Sequence, residues 1–476
     1  MGDRDQLKSF WESRSDSPSI ETMMLNKDAE AFDELDRRDI WTALPDLKGL
    51  RVVEIGSGIG RFTAGLASVA KHVLATDFVQ SFIEKNQADN EHLGNVSFKC
   101  ADAAHLNMER ESCDFVFTNW LLMYLTDMEV VHFLESVLRW LTPNGYLHFR
   151  ESCSESSKRT PTNPNDATNP THYRHICQYL TLIEHIRVLD EQSGRLMRFE
   201  VLWAKSVETY VRVIPNWRQI HMLLRKVWSD DAVQTGSMED SSLVQVLNED
   251  SIKEKHKFER EMSVRNDLWS ARSPVEQYFL QLLREKDIVS SSSSVLTVFP
   301  NHAAAVSPFM IAETFGCSIQ DLDTCFWMYD YNLAKANAIG DKRLRFQYVP
   351  GTVHDTKLWQ YVPDGHFDIV VGCLLNESVG KLEDALSVLS GKLKSGGRII
   401  LLEKVSGNCN TGLDAHISQS MEFGSVEAQD VTKSVSSFLM AAVTQLGKTS
   451  ELKELQGLYQ KWLKDTKWHL ESVTVK

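Results

Sequence analysis

Several features that would narrow the chemistry of this 476-residue chain are missing from it. None of the eight cysteines, at 100, 113, 153, 177, 317, 325, 373 and 409, forms a Cys-X-X-Cys pair. That excludes a zinc ribbon or a thioredoxin-type redox pair and reads instead as reduced, mostly buried thiols of a cytoplasmic protein. No ligand cluster stands out, and no metal is expected. No apolar run reaches the ~18 residues of a membrane-crossing helix, so membrane insertion is not expected. The opening MGDRDQLKSFW has no apolar core of a secretory signal. Gly2 meets one requirement for myristoylation, but Gln6 stands where Ser or Thr is needed. Positive charge is short as well: 51 Lys+Arg against 65 Asp+Glu gives a net charge of −14, which argues against a nucleic-acid partner. The acidic residues are spread along the chain and read as a solubility feature. With 42% hydrophobic and 24% charged residues, the composition is that of a soluble globular protein, and the length suits roughly two to four domains.

What is present centres on Arg51–Arg61, RVVEIGSGIGR. A β-branched run ends at Glu54, glycines follow at 56, 58 and 60, and Phe62, Leu66 and Val69 then recur at helical spacing. Strand, tight glycine turn and helix N-terminus in that order are the usual seat of a nucleotide-like ligand in an α/β sheet. A P-loop needs Gly-Lys-Ser/Thr, which this turn lacks. A dinucleotide turn, GxGxxG, wants its third glycine one place beyond Gly60. Asp77, 21 residues after Gly56, suits either a dinucleotide or S-adenosylmethionine, because both offer ribose hydroxyls to a carboxylate. Asp102, in Cys100-Ala-Asp102 after the third strand-like run, separates the two, since methyltransferases bind the adenine amine with such a residue. S-adenosylmethionine carries no pyrophosphate, so its turn needs room more than anion donors. Either aspartate alone could be a helix cap; the glycine turn and both acids in order point to S-adenosylmethionine.

From residue 51 strands alternate with helices: VVEI, HVLATD, VSFKCAD, DFVFTNWLLMYL and YLHFRES are strands or begin as strands. This rhythm predicts an α/β fold with a doubly wound parallel sheet. Residues 1–48 are polar and helical in pieces, either as a lid over the site or as plain packing on the sheet. Residues 154–172 read as a long loop, 196–213 as strand-like, 229–250 as an interdomain linker and 251–287 as a charged helix. The outline then recurs. VLTVF (295–299) resembles the first strand, FDIVVGCLLNES the fourth and LKSGGRIILLEK the fifth; Asp114 to Gly145 spans 31 residues and Asp368 to Gly397 spans 29. The expectation is two Rossmann-like class I methyltransferase domains, the second degenerate, because PNHAAAV replaces the glycine turn after VLTVF.

VVEIGSGIGRFTAGLA, TNWLLMYLTDMEV, NGYLHFRES and NPTHYR resemble the first catalytic domain of plant and nematode phosphoethanolamine N-methyltransferases, over about residues 10–228. The second half resembles the inactive half of the nematode enzyme that carries out only the first methylation. The resemblance implies methyl transfer from S-adenosylmethionine to phosphoethanolamine, giving phospho-monomethylethanolamine on the way to phosphocholine. It places cofactor contacts at Gly56, Arg61, Asp77, Asp102, Ala103 and Asn119, beside Gly58 and Gly60 of the turn. Methyl transfer to nitrogen is an in-line displacement by the amine lone pair, so the site must help remove a proton from an ammonium and must hold a phosphate. Tyr173, Arg174, Tyr179 and Lys226 are the phosphate candidates. Single-domain relatives use a Tyr–His pair; Tyr124 stands at the histidine position, so Tyr124 is expected to orient the amine and His172 or a water to take the proton. His132 reads as a helix-surface residue. Trp11 is either a cation–π partner of the amine or a core anchor. The expected boundaries are 1–228 for a methyltransferase domain with N-terminal lid helices, 229–290 for a linker and connecting helix, and 291–476 for a vestigial copy. The expected state is a cytoplasmic monomer. Rival readings are methylation of another small amine, a non-catalytic scaffold of methyltransferase folds, and a dehydrogenase.

Overall fold

Short β-branched runs closed by polar or glycine residues become the parallel strands of both units. The computed structural model describes residues 3–15, 18–154, 170–229, 239–268, 280–281, 283–284, 287–298, 307–351, 359–373, 382–406, 423–430 and 466–475. Two compact units divide the chain, one of Met1–Lys255 with Leu333–Gly340, the other of His256–Asn332 with Asp341–Lys476.

The first unit begins with helices α1 (Asp3–Glu12), α2 (Ile20–Met24) and α3 (Asp33–Trp41). The α/β alternation follows: β1 (Arg51–Ile55), α4 (Thr63–Val69), β2 (His72–Asp77), α5 (Gln80–Asn90), β3 (Val96–Cys100), β4 (Cys113–Asn119), α6 (Asp127–Trp140) and β5 (Leu141–Ser152). Then come α7 (Ile176–His185), β6 (Val188–Asp190), β7 (Arg195–Ser206), α8 (Glu208–Val213), β8 (Gln219–Trp228), α9 (Asp240–Gln245) and α10 (Ser251–Leu268). The sheet runs β3-β2-β1-β4-β5-β8-β7. Its first five strands are parallel, β8 is antiparallel to both β5 and β7, and β6 lies antiparallel on β7. Val52, Val53 and Ile55 of β1 and Phe115, Val116 and Phe117 of β4 are all at most 2% exposed, as a parallel strand covered on both faces requires. Each such side chain contributes about 1.5–3 kcal/mol of burial free energy. Ile55 pairs with both Thr76 and Thr118, so Gly56, Asp77 and Asn119 leave three adjacent strands at one level. Because β1 has β2 on one side and β4 on the other, the crevice opens there.

In the second unit the strands are β9 (Ser294–Val298), β10 (Ser318–Asp323), β11 (Leu344–Tyr348), β12 (Phe367–Cys373), β13 (Leu393–Ser406), β14 (Phe423–Asp430) and β15 (Thr466–Val475), with helices α11 (Pro308–Phe315), α12 (Phe326–Ile339) and α13 (Leu382–Lys392) among them. Their order, β11-β10-β9-β12-β13-β15-β14, repeats the first sheet strand for strand, parallel through β13 and antiparallel beyond. A shared detail marks the duplication. Asp114 accepts from the N–H of Arg51 at 2.9 Å, and Asp368 accepts from the N–H of Ser294 at 2.8 Å. In each copy an aspartate at the start of the fourth strand ties down the first residue of the first strand. The PNHAAAV turn lies outside the described residues.

Two stretches differ from the sequence reading. Residues 208–213, read as strand-like, form α8, while β7 ends at Ser206. Residues 240–250, read as linker, form α9 and a π turn in which Leu243 and Leu247 are fully buried, and the first unit runs on to Lys255. The polar flanks hide an apolar stripe of only a few residues, whose burial depends on distant partners. Gln178 of α7 donates to the Leu247 carbonyl at 3.0 Å, and His132 of α6 bonds Asp240 at 2.7 Å.

Candidate active site

The turn after β1 borders a cavity of about 930 Å³. Gly56, Gly58 and Gly60 all have positive φ, at +73°, +54° and +90°, which only glycine adopts without strain. Two of them face the cavity, with Gly58 opposite Met23: a Cβ there would lie 3.0 Å from its sulfur. Gly60 does not line the cavity. A Cβ at Gly60 would come 2.4 Å from Asn86 Oδ1, so this glycine serves close packing of the turn on α5.

Asp77, at the end of β2, accepts from the Gly58 N–H at 2.9 Å and the Val79 N–H at 3.0 Å. Burial pushes its carboxyl up to about 6, with those two N–H bonds opposing. Next to it, Glu54 accepts from Thr63 Oγ1 at 2.5 Å and is pushed up to about 8 by burial, with the Asp77 charge adding to the rise. A carboxylate inside an otherwise apolar strand was visible in the sequence and is the signal that finds Glu54. Asp102 lies two residues beyond β3 and caps the short turn at Ala103–His105 through the Ala104 N–H. It is ion-paired with Arg4 of α1. Burial alone would raise its pKa; the hydrogen bonds from Arg4, the Ala104 N–H and His105, together with the Arg4 charge, outweigh that, and the net shift is downward. Asp77, Asp102, Ala103 and Asn119 all line the one cavity, as does Arg61.

Arg61 is held by Asp33 at 2.6 Å and Asp36 at 2.9 Å, both from α3. Its Nη1 is buried with no hydrogen-bond partner among the described residues. Asp36 also receives Arg150 of β5 at 3.1 Å, and Arg150 donates to Asn119 Oδ1 at 3.1 Å. The guanidinium of Arg150 lies over the Trp120 ring at 3.7 Å and the Tyr210 ring at 4.9 Å. Of these, Asp33, Asp36, Arg150 and Tyr210 had no local motif in the sequence.

Part of the lining is aromatic. Trp11 of α1 meets Tyr124 edge-on, with ring centroids 5.5 Å apart, and both line the cavity. Trp11 is also packed into a cluster with Leu7, Phe10, Val79 and Phe82, so it is a core anchor and a cavity wall at once. Tyr124 is hydrogen-bonded to Thr171, and burial raises its phenol pKa, which keeps it protonated at neutral pH. Tyr173, Arg14 and Lys27 line the same cavity.

Four residues read from the sequence as site groups stand elsewhere. His172 is exposed and off the cavity, with its N–H bonded to the Met123 carbonyl at 2.7 Å. Arg174 is 3% exposed and directed at Asp127 and at the carbonyls of Leu122 and Leu125. Tyr179 is buried against Phe149, with Arg174 over its ring at 5.9 Å. Lys226 is 1% exposed and donates to the Leu141 carbonyl at 2.6 Å, at the far end of β5 from the cavity-lining Ser152. For Arg174, Tyr179 and Lys226 residue type pointed to phosphate, but buried backbone carbonyls need donors too. Replacing Lys226 with methionine is therefore expected to leave substrate KM within about twofold of wild type while costing about 1–3 kcal/mol of stability, from the orphaned carbonyl. Steady-state kinetics with a denaturant melt checks both; a tenfold rise in KM would return Lys226 to the site.

A model of the family described as a methyltransferase domain matches residues 53–149. Phosphoethanolamine N-methyltransferase 1 of Caenorhabditis elegans is 37% identical over 412 residues, covering 84% of this chain and 83% of that protein. A phosphoethanolamine N-methyltransferase of Triticum aestivum is 42% identical over 234 residues, 48% of this chain and 45% of its own length. Among solved structures, Haemonchus contortus phosphoethanolamine N-methyltransferase 1, in complex with phosphoethanolamine and S-adenosylhomocysteine, superposes with a TM-score of 0.85 at 33% identity, covering 99% of this chain and 97% of that one.

Proposed function

This chain belongs to the phosphoethanolamine N-methyltransferase family, and from that premise we propose how its cavity carries the reaction. The protein is an S-adenosylmethionine-dependent methyltransferase acting on the amine of phosphoethanolamine. The observation that carries the site assignment is the meeting, in one cavity, of the glycine turn, two strand-end carboxylates and the Trp11–Tyr124 wall. The residues suit the cofactor: Gly58 leaves room in the turn, and the unpartnered Arg61 Nη1 fits the methionine carboxylate. Asp77 would accept from the ribose hydroxyls and Asp102 from the adenine amine, with Ala103 and Asn119 beside them. When bound, S-adenosylmethionine supplies a methyl group on a sulfonium that a lone pair can displace.

The chain's own residues then orient the nucleophile. The indole face of Trp11 favours the cationic amine, and the phenol of Tyr124, kept neutral by burial, offers it a hydrogen-bond acceptor as the ammonium proton passes to water. The phosphate would lie against Tyr173, with Arg14 and Lys27 of the cavity lining as its cations. On this reading the first unit does the chemistry, the second is a vestigial copy, and the product is phospho-monomethylethanolamine. The same reading makes the protein a cytoplasmic monomer. Among the described residues no helix is long and apolar enough to cross a membrane.

Incubating the purified protein with methyl-labelled S-adenosylmethionine and each of phosphoethanolamine and its mono- and dimethyl forms is the test. Label is expected to enter phosphoethanolamine once and to enter the methylated forms hardly at all. Turnover of all three alike would overturn the single-methylation reading, and no turnover of phosphoethanolamine would overturn the substrate.

A further inference from the structure

The loop that brings Tyr124 to the cavity is held from both sides by buried charge. It leaves β4 through Trp120, whose φ of +58° is strained for a bulky residue, and then makes one tight turn at Leu122–Tyr124. The next three N–H groups all point at Glu151 of β5. Leu121 and Leu122 donate to Oε1 at 3.1 and 2.8 Å, and Met123 donates to Oε2 at 3.0 Å. Convergent N–H groups of this kind form an anion nest. The carbonyl side faces Arg174, which donates to Leu122 O at 3.0 Å and Leu125 O at 2.7 Å while Asp127 holds its Nε at 2.8 Å. Glu151 is 1% exposed and Arg174 is 3% exposed.

Neither charge lines the cavity. Burial raises the Glu151 carboxyl to about 7, and the three N–H bonds and the Arg174 charge work against that rise. Two buried ionisable groups that touch the backbone of one loop, and not each other, are an expensive way to pack a core. They are an effective way to hold a strained turn in one conformation, because donors and acceptors on both edges of that turn are fixed together.

We infer that Glu151 and Arg174 are positioning residues for methyl transfer, clamping the Trp120–Leu125 loop from its N–H and C=O edges so that Tyr124 and Met123 keep their places on the cavity wall. The inference rests on the reading of Tyr124 as the group facing the amine. Asp77 and Asp102 belong to β2 and the segment after β3, off this loop, so loosening the clamp should disturb the chemical step more than cofactor binding.

Glu151→Gln keeps the shape but places an amide N–H₂ against one of the three donors, pushing the loop away. A shift of about 1 Å at a reacting group can cost roughly 100-fold in rate. The expected result is a fall in kcat of about 10- to 100-fold, with the Kd for S-adenosylhomocysteine within about threefold of wild type. Arg174→Lys, which keeps the charge and loses the fork, should show the same split. A kcat near wild type in both variants, or kcat and cofactor affinity falling together, would overturn the clamp. Wild-type turnover in the same assay separates failure of this inference from failure of the reading beneath it. Amide hydrogen exchange on the wild-type protein is independent of how the variants fold: Leu121, Leu122 and Met123 should exchange slowly, and exchange as fast as in an unstructured peptide would equally overturn it.

Discussion

Replacing Asp36 with alanine is expected to cost about 3–5 kcal/mol of stability, a large share of the roughly 5–15 kcal/mol that holds a typical domain folded. Asp36 is fully buried and accepts from two arginines, Arg61 at 2.9 Å and Arg150 at 3.1 Å. Arg61 would keep Asp33 as a partner at 2.6 Å. Arg150 is fully buried as well, and once Asp36 is gone it keeps no carboxylate partner among the described residues, only Asn119, the Tyr210 hydroxyl and the Trp120 ring. A cation without a counter-charge in the interior is the costly outcome, far more so than the net worth of the intact pair. Asp36→Asn, which still offers one acceptor oxygen, should lose less. Because α3 reaches the glycine turn and Asn119 through these arginines, the alanine variant should also bind S-adenosylhomocysteine more weakly. Denaturant unfolding of the three proteins measures the first effect; a loss below about 1 kcal/mol would mean that water or a shifted side chain replaces the carboxylate.

That network also marks where sequence reading stops. The segment DELDRRD reads as a charged, solvent-facing helix, yet Asp33 and Asp36 are buried: besides Arg37, four residues on from Asp33, they meet arginines 28, 25 and 114 residues away. Pairing at such a distance leaves no local periodicity to detect. What is legible is local: a β-branched strand, a glycine turn and an amphipathic helix specify one another within a few residues, and the recurrence of that rhythm carried the topology of both units. The site divides along the same line. Asp77, Asp102, Asn119 and both Gly56 and Gly58 follow strand ends whose register is fixed by parallel pairing, and all reach the cavity. Arg174, within NPTHYR, and Tyr179 and Lys226 are phosphate candidates by donor type, and tertiary packing directs them to backbone carbonyls and rings instead. Gly60 shows the limit within a motif: three glycines at equal spacing look alike, but only the structure sets the third against Asn86.

Asp77→Asn is expected to weaken cofactor binding by roughly 10- to 100-fold, the equivalent of about 1.5–3 kcal/mol for a hydrogen bond to a charged group. The amide has a single acceptor oxygen, so besides losing charge it leaves either Gly58 N–H or Val79 N–H without its partner. The wild-type protein should show the same loss by titration. Burial raises the Asp77 carboxyl to about 6, so the group takes up a proton at a higher pH than an ordinary aspartate. Ribose hydroxyls need the ionised form as acceptor, and binding is therefore fully expressed above that value and lost as pH falls through it, by up to about tenfold per unit. Glu54, at about 8, ionises above this window, and Asp102, shifted downward, stays ionised through it. Calorimetric titration with S-adenosylhomocysteine between about pH 5 and 7.5 should give a rising affinity for wild type and a flat, weak one for Asp77→Asn. Parallel curves for the two proteins would place the titrating group elsewhere and remove Asp77 from the ribose.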